Sequence, residues 1–212
     1  MAHTHQDIYN AHLTHSAIDD DIAKTLIWPI VTTTQPLGNM AFFGIQNRNI
    51  DQIISAKGQA IKIVPNALYQ QGDPSSICAR YDMLPFKKEQ FNAIIIHQLH
   101  MLDLNIKSVF STLMPYLHPG GLFLISTLLY EPPIFSDFPA LHAIGDALSQ
   151  HGIPSPIIEK HRMTYTFKHS LPQLYFLAMG LEAPPEESIT LSWAIAHGWK
   201  KQPQVRMPES RK

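Results

Sequence analysis

Short apolar runs alternate with stretches of helical periodicity through much of this chain. The runs have the length and the β-branched or aromatic content of buried strands. They are residues 40–44, 60–64, 91–96 and 122–128, with a weaker candidate at 76–80. Residues 50–57 and 105–117 carry apolar side chains at helical spacing, and a His-Pro-Gly-Gly sequence ends the second stretch. The alternation predicts a mostly parallel α/β sheet covered by helices.

The remaining third is organised differently. Its pattern predicts a helix at 137–151, a strand at 157–167, a helix at 171–181 and a last strand at 188–199, followed by a mobile tail over 201–212. Open α/β sheets bind their ligands beyond the carboxyl ends of the strands, where the strand order reverses. The loops after Gly44, after Val64, around Asp82 and after Ile96 are therefore the predicted site.

Composition and charge exclude several classes of function. Sixteen basic residues against seventeen acidic ones leave a net charge of −1, too little to attract nucleic acid or an anionic membrane. The longest near-apolar segment, 122–130, is shorter than the ~20 residues of a membrane-spanning helix. Residues 1–21 lack the apolar stretch of a signal peptide, and Cys78 is the single cysteine. A cytoplasmic, reducing location is predicted.

Four motifs in the centre of the chain carry a family resemblance. They are Tyr81-Asp82-Met83-Leu84-Pro85-Phe86, Phe91-Asn92-Ala93-Ile94-Ile95-Ile96, Leu99-His100-Met101-Leu102 and Leu117-His118-Pro119-Gly120-Gly121. In this order and spacing they resemble class I S-adenosylmethionine-dependent methyltransferases. The segment 140–181 and the ending 189–200 are similar to the malonyl-acyl-carrier-protein O-methyltransferases of biotin synthesis.

The resemblance implies a Rossmann-like fold: an open, mostly parallel sheet, helices on both faces and an antiparallel last strand. It implies one domain over 1–200, with a helical lid at 1–35, a cofactor half at 38–128 and a substrate half at 129–200. It also implies S-adenosylmethionine as cofactor and a small or acyl-carrier-protein-linked carboxylate as methyl acceptor. The cofactor contacts carried over are Gly44, Gln46, Asn66, Asp82, Met83 and His97, with Tyr9 in the lid. The catalytic residues are not identified.

Two motifs of that family are changed here. The glycine-rich turn after the first strand keeps Gly44, but Gln46 and Arg48 occupy the places of the next two glycines. Phe42 stands where the family has an acidic residue, and Asn66 replaces the carboxylate that binds the ribose. Each missing charge-assisted hydrogen bond is worth about 1.5–3 kcal/mol. A second hypothesis follows, in which the chain is an inactive methyltransferase scaffold that binds a protein partner or another ligand.

Histidine and cysteine offer further chemistry. His97 and His100 have a spacing that suggests a metal, but without a third ligand they are interpreted as loop or core residues. The terminal histidines could gather a transition metal, although a solvated terminus is the preferred interpretation; they are His3, His5, His12 and His15. No metal is therefore assigned. Cys78 has no motif around it and is interpreted as a buried or inert thiol.

Overall fold

Seven strands form one sheet. The computed structural model describes residues 27, 31–32, 36–44, 52, 55–64, 76–81, 83–97, 106–129, 141–166 and 188–202. The strands are β1 (Gly38–Phe43), β2 (Gly58–Val64), β3 (Ser76–Cys78), β4 (Phe91–Ile96), β5 (Leu117–Leu128), β6 (Ile157–Thr166) and β7 (Ser188–Trp199). The helices are α1 (Ile106–Leu113), which continues as a 3-10 turn at Met114–Tyr116, and α2 (Leu141–Gln150).

The strand order is β3-β2-β1-β4-β5-β7-β6. Strands β1 to β5 pair in parallel, whereas β7 lies antiparallel between β5 and β6. The order reverses between β1 and β4, which are neighbours in space although β2 and β3 separate them in the chain. The predicted open, mostly parallel sheet with an antiparallel last strand is confirmed.

Alternate residues of the central strands enter two separate cores. On one face, Phe43, Ile94 and Phe123 pack with residues of α1 and α2. On the other face, Phe42 and Ile95 belong to a core that also holds side chains from the N-terminal part of the chain. These side chains are Ile27, Val31 and Leu37. Burial on both faces explains why these strands are almost uninterrupted apolar runs in the sequence.

The end of the predicted helix 105–117 is wrong. Regular helix ends at Leu113, because Pro115 has no N–H group to continue the α-helical hydrogen bonds. Strand β5 then begins at Leu117, five residues earlier than predicted. Its first part is held by the Gly120 N–H, which donates to the Lys200 carbonyl (2.8 Å), and by the Lys200 N–H, which donates to Gly121 (2.9 Å). The predicted turn is therefore an irregular strand entry.

Other predicted boundaries agree within a few residues. Strand β3 is three residues long rather than five, and α2 occupies 141–150 of the predicted 137–151. The predicted helix 171–181 and the lid at 1–35, apart from residues 27 and 31–32, lie outside the described residues. Lys201 begins the predicted tail, and its N–H donates to the Gly152 carbonyl at 2.9 Å. Within the described part of the chain, no helix combines the length and hydropathy that a bilayer crossing requires.

Candidate functional site

The carboxyl ends of β1 and β4 meet where the strand order reverses. The His97 N–H donates to the Phe43 carbonyl at 2.8 Å, which extends the pairing by one residue beyond β4. Gly44 follows with φ +146°, and a Cβ atom added there would lie 2.7 Å from the His97 carbonyl oxygen. Only glycine combines this conformation with this close approach. The end of β1 is thus a bare backbone at the place where open α/β sheets receive ligands.

His97 lies beside Gly44 with its ring buried. Its side chain is 1% exposed, and its Nδ1 atom forms a hydrogen bond of 2.9 Å with Ser126 Oγ on β5. This bond joins the ends of two neighbouring strands, so the ring fixes the position of the His97 main chain at the sheet edge. Ser126 was not predicted as a site residue. The only trace in the sequence is a pair of polar residues, Ser126 and Thr127, near the end of an apolar run. The structure shows that both are buried.

A turn after β3 carries Met83 to the same edge. The Met83 N–H donates to the Arg80 carbonyl at 3.1 Å, and the Met83 side chain is 71% exposed. The turn is anchored by Tyr81, a buried residue whose ring centroid lies 5.5 Å from that of Phe43 at the end of β1. The turn therefore leaves Met83 exposed two residues after a buried tyrosine that packs at the end of β1.

Four predicted contacts lie outside the described residues: Tyr9, Gln46, Asn66 and Asp82. Phe42, at the place of the acidic family residue, is 1% exposed and packs in the core with Met40 and Ile95. The described part of the site therefore presents backbone and a thioether. These surroundings fit the nucleoside part of S-adenosylmethionine, which needs close backbone approach and apolar cover. At Phe42 they supply no carboxylate for the amino group of the cofactor.

A second buried histidine among the described residues lies two strands away from β4. His197 on β7 pairs with Leu124 and Ile157, and its Nδ1 atom has no hydrogen-bond partner among the described residues. Burial lowers the pKa of the His197 imidazole, and the charge of Glu159 offsets part of that effect. The Glu159 carboxylate itself forms a hydrogen bond of 3.2 Å with His161 Nε2.

Metal chemistry finds no support in the described residues. Within the described ranges no three His, Cys, Asp or Glu side chains gather in a way that could hold a metal ion. The terminal histidines and His100 lie outside those ranges. Cys78, at the end of β3, is exposed rather than buried.

Comparison with known proteins places the fold. No protein-family model matches the chain, and no curated protein matches its sequence. Among solved structures, the chain is similar to the YcgJ protein of Bacillus subtilis, with TM-score 0.63 and 11% identity over 82% of this chain and 97% of that one.

A second similar structure is an S-adenosylmethionine-dependent methyltransferase of Thermotoga maritima, described as a possible histamine N-methyltransferase. Its TM-score is 0.59 and its identity 12%, over 92% of this chain and 99% of that one. A third is phosphoethanolamine N-methyltransferase 2 of Haemonchus contortus in complex with S-adenosylhomocysteine. It has TM-score 0.56 and 12% identity, over 82% of this chain and 53% of that one. At these identities the likeness shows the fold, which is that of the class I methyltransferases.

Proposed function

We propose that the chain transfers a methyl group from S-adenosylmethionine to a small molecule. The observation that carries the proposal is the bare backbone at Gly44, in contact with the end of β4. The exposed Met83 follows Tyr81, whose ring packs against Phe43 at the end of β1. Solved proteins of this fold support it, since structures with S-adenosylmethionine or S-adenosylhomocysteine bound are among the similar ones.

The residues of this chain would bind and orient the cofactor. When bound, S-adenosylmethionine supplies a methyl group activated by a sulfonium. Gly44 would leave room for it, the Met83 side chain would cover its adenosyl face, and the His97–Ser126 hydrogen bond would hold the edge of the sheet in place. Gln46, Asn66, Asp82 and Tyr9 remain proposed contacts. Methyl transfer needs mainly alignment and exclusion of water, so no general base is required for an acceptor that is already ionised.

For the acceptor we retain the class that the sequence resemblance implies, a small or acyl-carrier-protein-linked carboxylate. An ionised carboxylate carries its own nucleophilic oxygen, so its methylation needs no general base. The similar solved proteins act on other small molecules, including phosphomonomethylethanolamine and geranyl diphosphate in the bound structures. A cytoplasmic location belongs to the same proposal and is supported by the cysteine content.

Titration calorimetry with S-adenosylhomocysteine tests the proposal. Met83→Ala is the informative variant, because a side chain that is 71% exposed contributes little to folding. If Met83 covers the ligand, its truncation removes about 1–2 kcal/mol of apolar burial and weakens binding about 5- to 30-fold. Ile157→Ala is the matched control, since Ile157 is also a large exposed apolar residue but starts β6 at the far side of the sheet. Wild-type protein that gives no heat at about 1 mM ligand would remove the proposal.

A second candidate is an inactive scaffold that binds a ligand or partner without turnover. Phe42 favours it, because a buried phenyl ring in the core replaces the carboxylate expected for the amino group of the cofactor. Release of S-adenosylhomocysteine from S-adenosylmethionine, measured with malonyl-acyl carrier protein and with free small carboxylates, separates the two. Binding without release in any of these reactions favours the scaffold, whereas release with one of them favours the enzyme.

A further inference from the structure

A cavity lies at the opposite edge of the sheet from Gly44. Its volume is about 600 Å³, within the range of small-molecule sites, and it is lined at the starts of β1, β4 and β5 and at the end of β7. Strand β1 separates Gly38 in its lining from Gly44 by roughly 20 Å, at about 3.3 Å per residue. We propose that this cavity binds a small, neutral, planar heterocycle of the nucleobase class, stacked on Trp199. The proposal does not depend on methyl transfer.

Trp199 provides the aromatic wall. It is the last residue of β7, it pairs with Leu122 of β5, and its side chain is 47% exposed in the cavity lining. Its ring meets that of His197 edge to face, with centroids 5.9 Å apart at 77°. This contact and the strand pairing hold the indole in place while part of it stays open to solvent. Such a platform favours a flat partner, and a base stacked on an aromatic ring gains about 1–3 kcal/mol.

Asn92 and Gln202 provide neutral hydrogen-bonding groups around this platform. A Cβ atom on Gly38 would lie 2.9 Å from Asn92 Oδ1, and one on Gly120 would lie 2.8 Å from Gln202 Nε2. Both glycines have positive φ, +64° and +81°, so the backbone there suits glycine and leaves room for the amide of the neighbouring residue. The two amides thus lie directly on the backbone at the cavity wall.

The orientation of these groups determines what they offer. Asn92 Oδ1 accepts a hydrogen bond from the Asn39 N–H at 3.3 Å. The NH₂ group of the same amide points away from Asn39 and can donate to a ligand. His118 Nδ1 donates to the Pro119 carbonyl at 2.6 Å, and in this tautomer Nε2 offers an acceptor to a ligand. A ligand that carries both an acceptor and a donor on its edge, as nucleobases do, matches this arrangement.

The charge of the lining selects against ions. The described lining residues include no Lys, Arg, Asp or Glu, and the walls between the polar groups are Pro36, Leu37, Pro119 and Leu122. An ion would lose hydration there without gaining a counter-charge. The chemistry of the cavity therefore favours a neutral ligand.

Ligand-observed saturation-transfer NMR on the full chain, with adenine as the probe, tests the proposal. We expect a dissociation constant of about 0.1–1 mM for a ligand of this size. Trp199→Leu should weaken adenine binding about 5- to 150-fold by removing the stacking, while Trp199→Phe should retain most of it. Trp199 is already half exposed, so these variants should fold. Ile157→Ala serves as the control, because Ile157 is a comparably exposed apolar residue outside the cavity lining, and this variant should bind as the wild type does.

Two further arms separate the alternatives. Benzamide and benzoate have nearly the same shape and differ in charge, so benzamide should bind and benzoate should bind at least several-fold more weakly. Excess S-adenosylhomocysteine should leave adenine binding unchanged. Adenine binding that survives Trp199→Leu and is displaced by S-adenosylhomocysteine would assign the probe to the edge at Gly44 and overturn the proposal. Equal binding of benzoate, or no adenine binding to the wild type, would overturn it as well.

Discussion

Gly44 is the residue whose replacement best tests the geometry of the candidate site. Its φ of +146° is strained for any residue with a side chain, and a Cβ atom there would lie 2.7 Å from a backbone atom, the His97 carbonyl oxygen. Backbone cannot move aside as the end of a flexible side chain can. Moreover, the His97 N–H is already committed to the Phe43 carbonyl, so a shift of either strand end disturbs that hydrogen bond.

The expected cost of Gly44→Ala has two parts. A non-glycine residue in such a conformation costs about 1–3 kcal/mol. Forcing a methyl group against a packed backbone adds about 1–3 kcal/mol. The free energy of unfolding should therefore fall by about 2–6 kcal/mol, which is a large share of the 5–15 kcal/mol typical of a domain. With a slope of about 2 kcal/mol per M, the urea midpoint should fall by roughly 1–3 M.

Urea unfolding followed by circular dichroism measures this shift. Gly152→Ala is the matched control, because Gly152 also has a positive φ (+95°) but nothing lies within 4 Å of its added Cβ. It should show the conformational cost alone, about 1–3 kcal/mol. If Gly44→Ala is no more destabilising than Gly152→Ala, the close approach of β1 and β4 is refuted as the reason for glycine at this position. Gly44→Ala that keeps full stability but loses S-adenosylhomocysteine would assign the glycine to ligand contact instead.

Four further variants test other parts of the structure. Ser126→Ala should lower the free energy of unfolding by about 1–3 kcal/mol in urea titration, since it removes the bonded partner of buried His97; a change below 0.5 kcal/mol would contradict the buried bond. Burial lowers the pKa of His197 in the folded protein, so the unfolded chain takes up a proton on this residue at a higher pH than the folded protein does. The stability of the fold should therefore decline as pH falls below about 6.5. His197→Phe should flatten that decline, measured by thermal unfolding at several pH values. Glu159→Gln should steepen it, because the carboxylate raises the pKa of His197; an unchanged slope in both variants would refute the assignment. Phe110→Ala should cost about 3–5 kcal/mol, as Phe110 is fully buried with its ring 5.0 Å from that of Phe123; a loss under 1 kcal/mol in urea would refute this packing.

Local pattern was enough to predict the strands that are buried on both faces. The run Phe91–Ile96 is β-branched throughout its second half, and its predicted bounds match β4. The early start of β5 was not predictable locally, because Gly120 and Gly121 are held as strand by Lys200, eighty residues later in the chain. A local residue such as Pro115 predicts where a helix ends. It does not predict which distant segment will form hydrogen bonds with the residues that follow.

The site was predictable only as an edge of the sheet. Gly44 and His97 were expected on neighbouring loops, and the structure brings their backbones into contact across fifty-three residues. The burial of the His97 ring and its bond to Ser126 depend on the adjacency of β4 and β5, which no periodicity in the sequence encodes. The cavity beside Trp199 was not predicted either, because its lining comes from four strands and from segments next to them that are far apart in the sequence.

The position of β7 sets the order in which the fold can be completed during translation. Strand β6 pairs with no strand other than β7 among the described residues, and β7 is made after it. A nascent chain that has emerged from the ribosome only as far as β6 has no docking place for that strand beside β5. Strands β6 and β7 can therefore join the sheet only after residue 199 has left the exit tunnel. Translational pausing within β7 would leave the backbone N–H and C=O groups of β5 on that side unpaired.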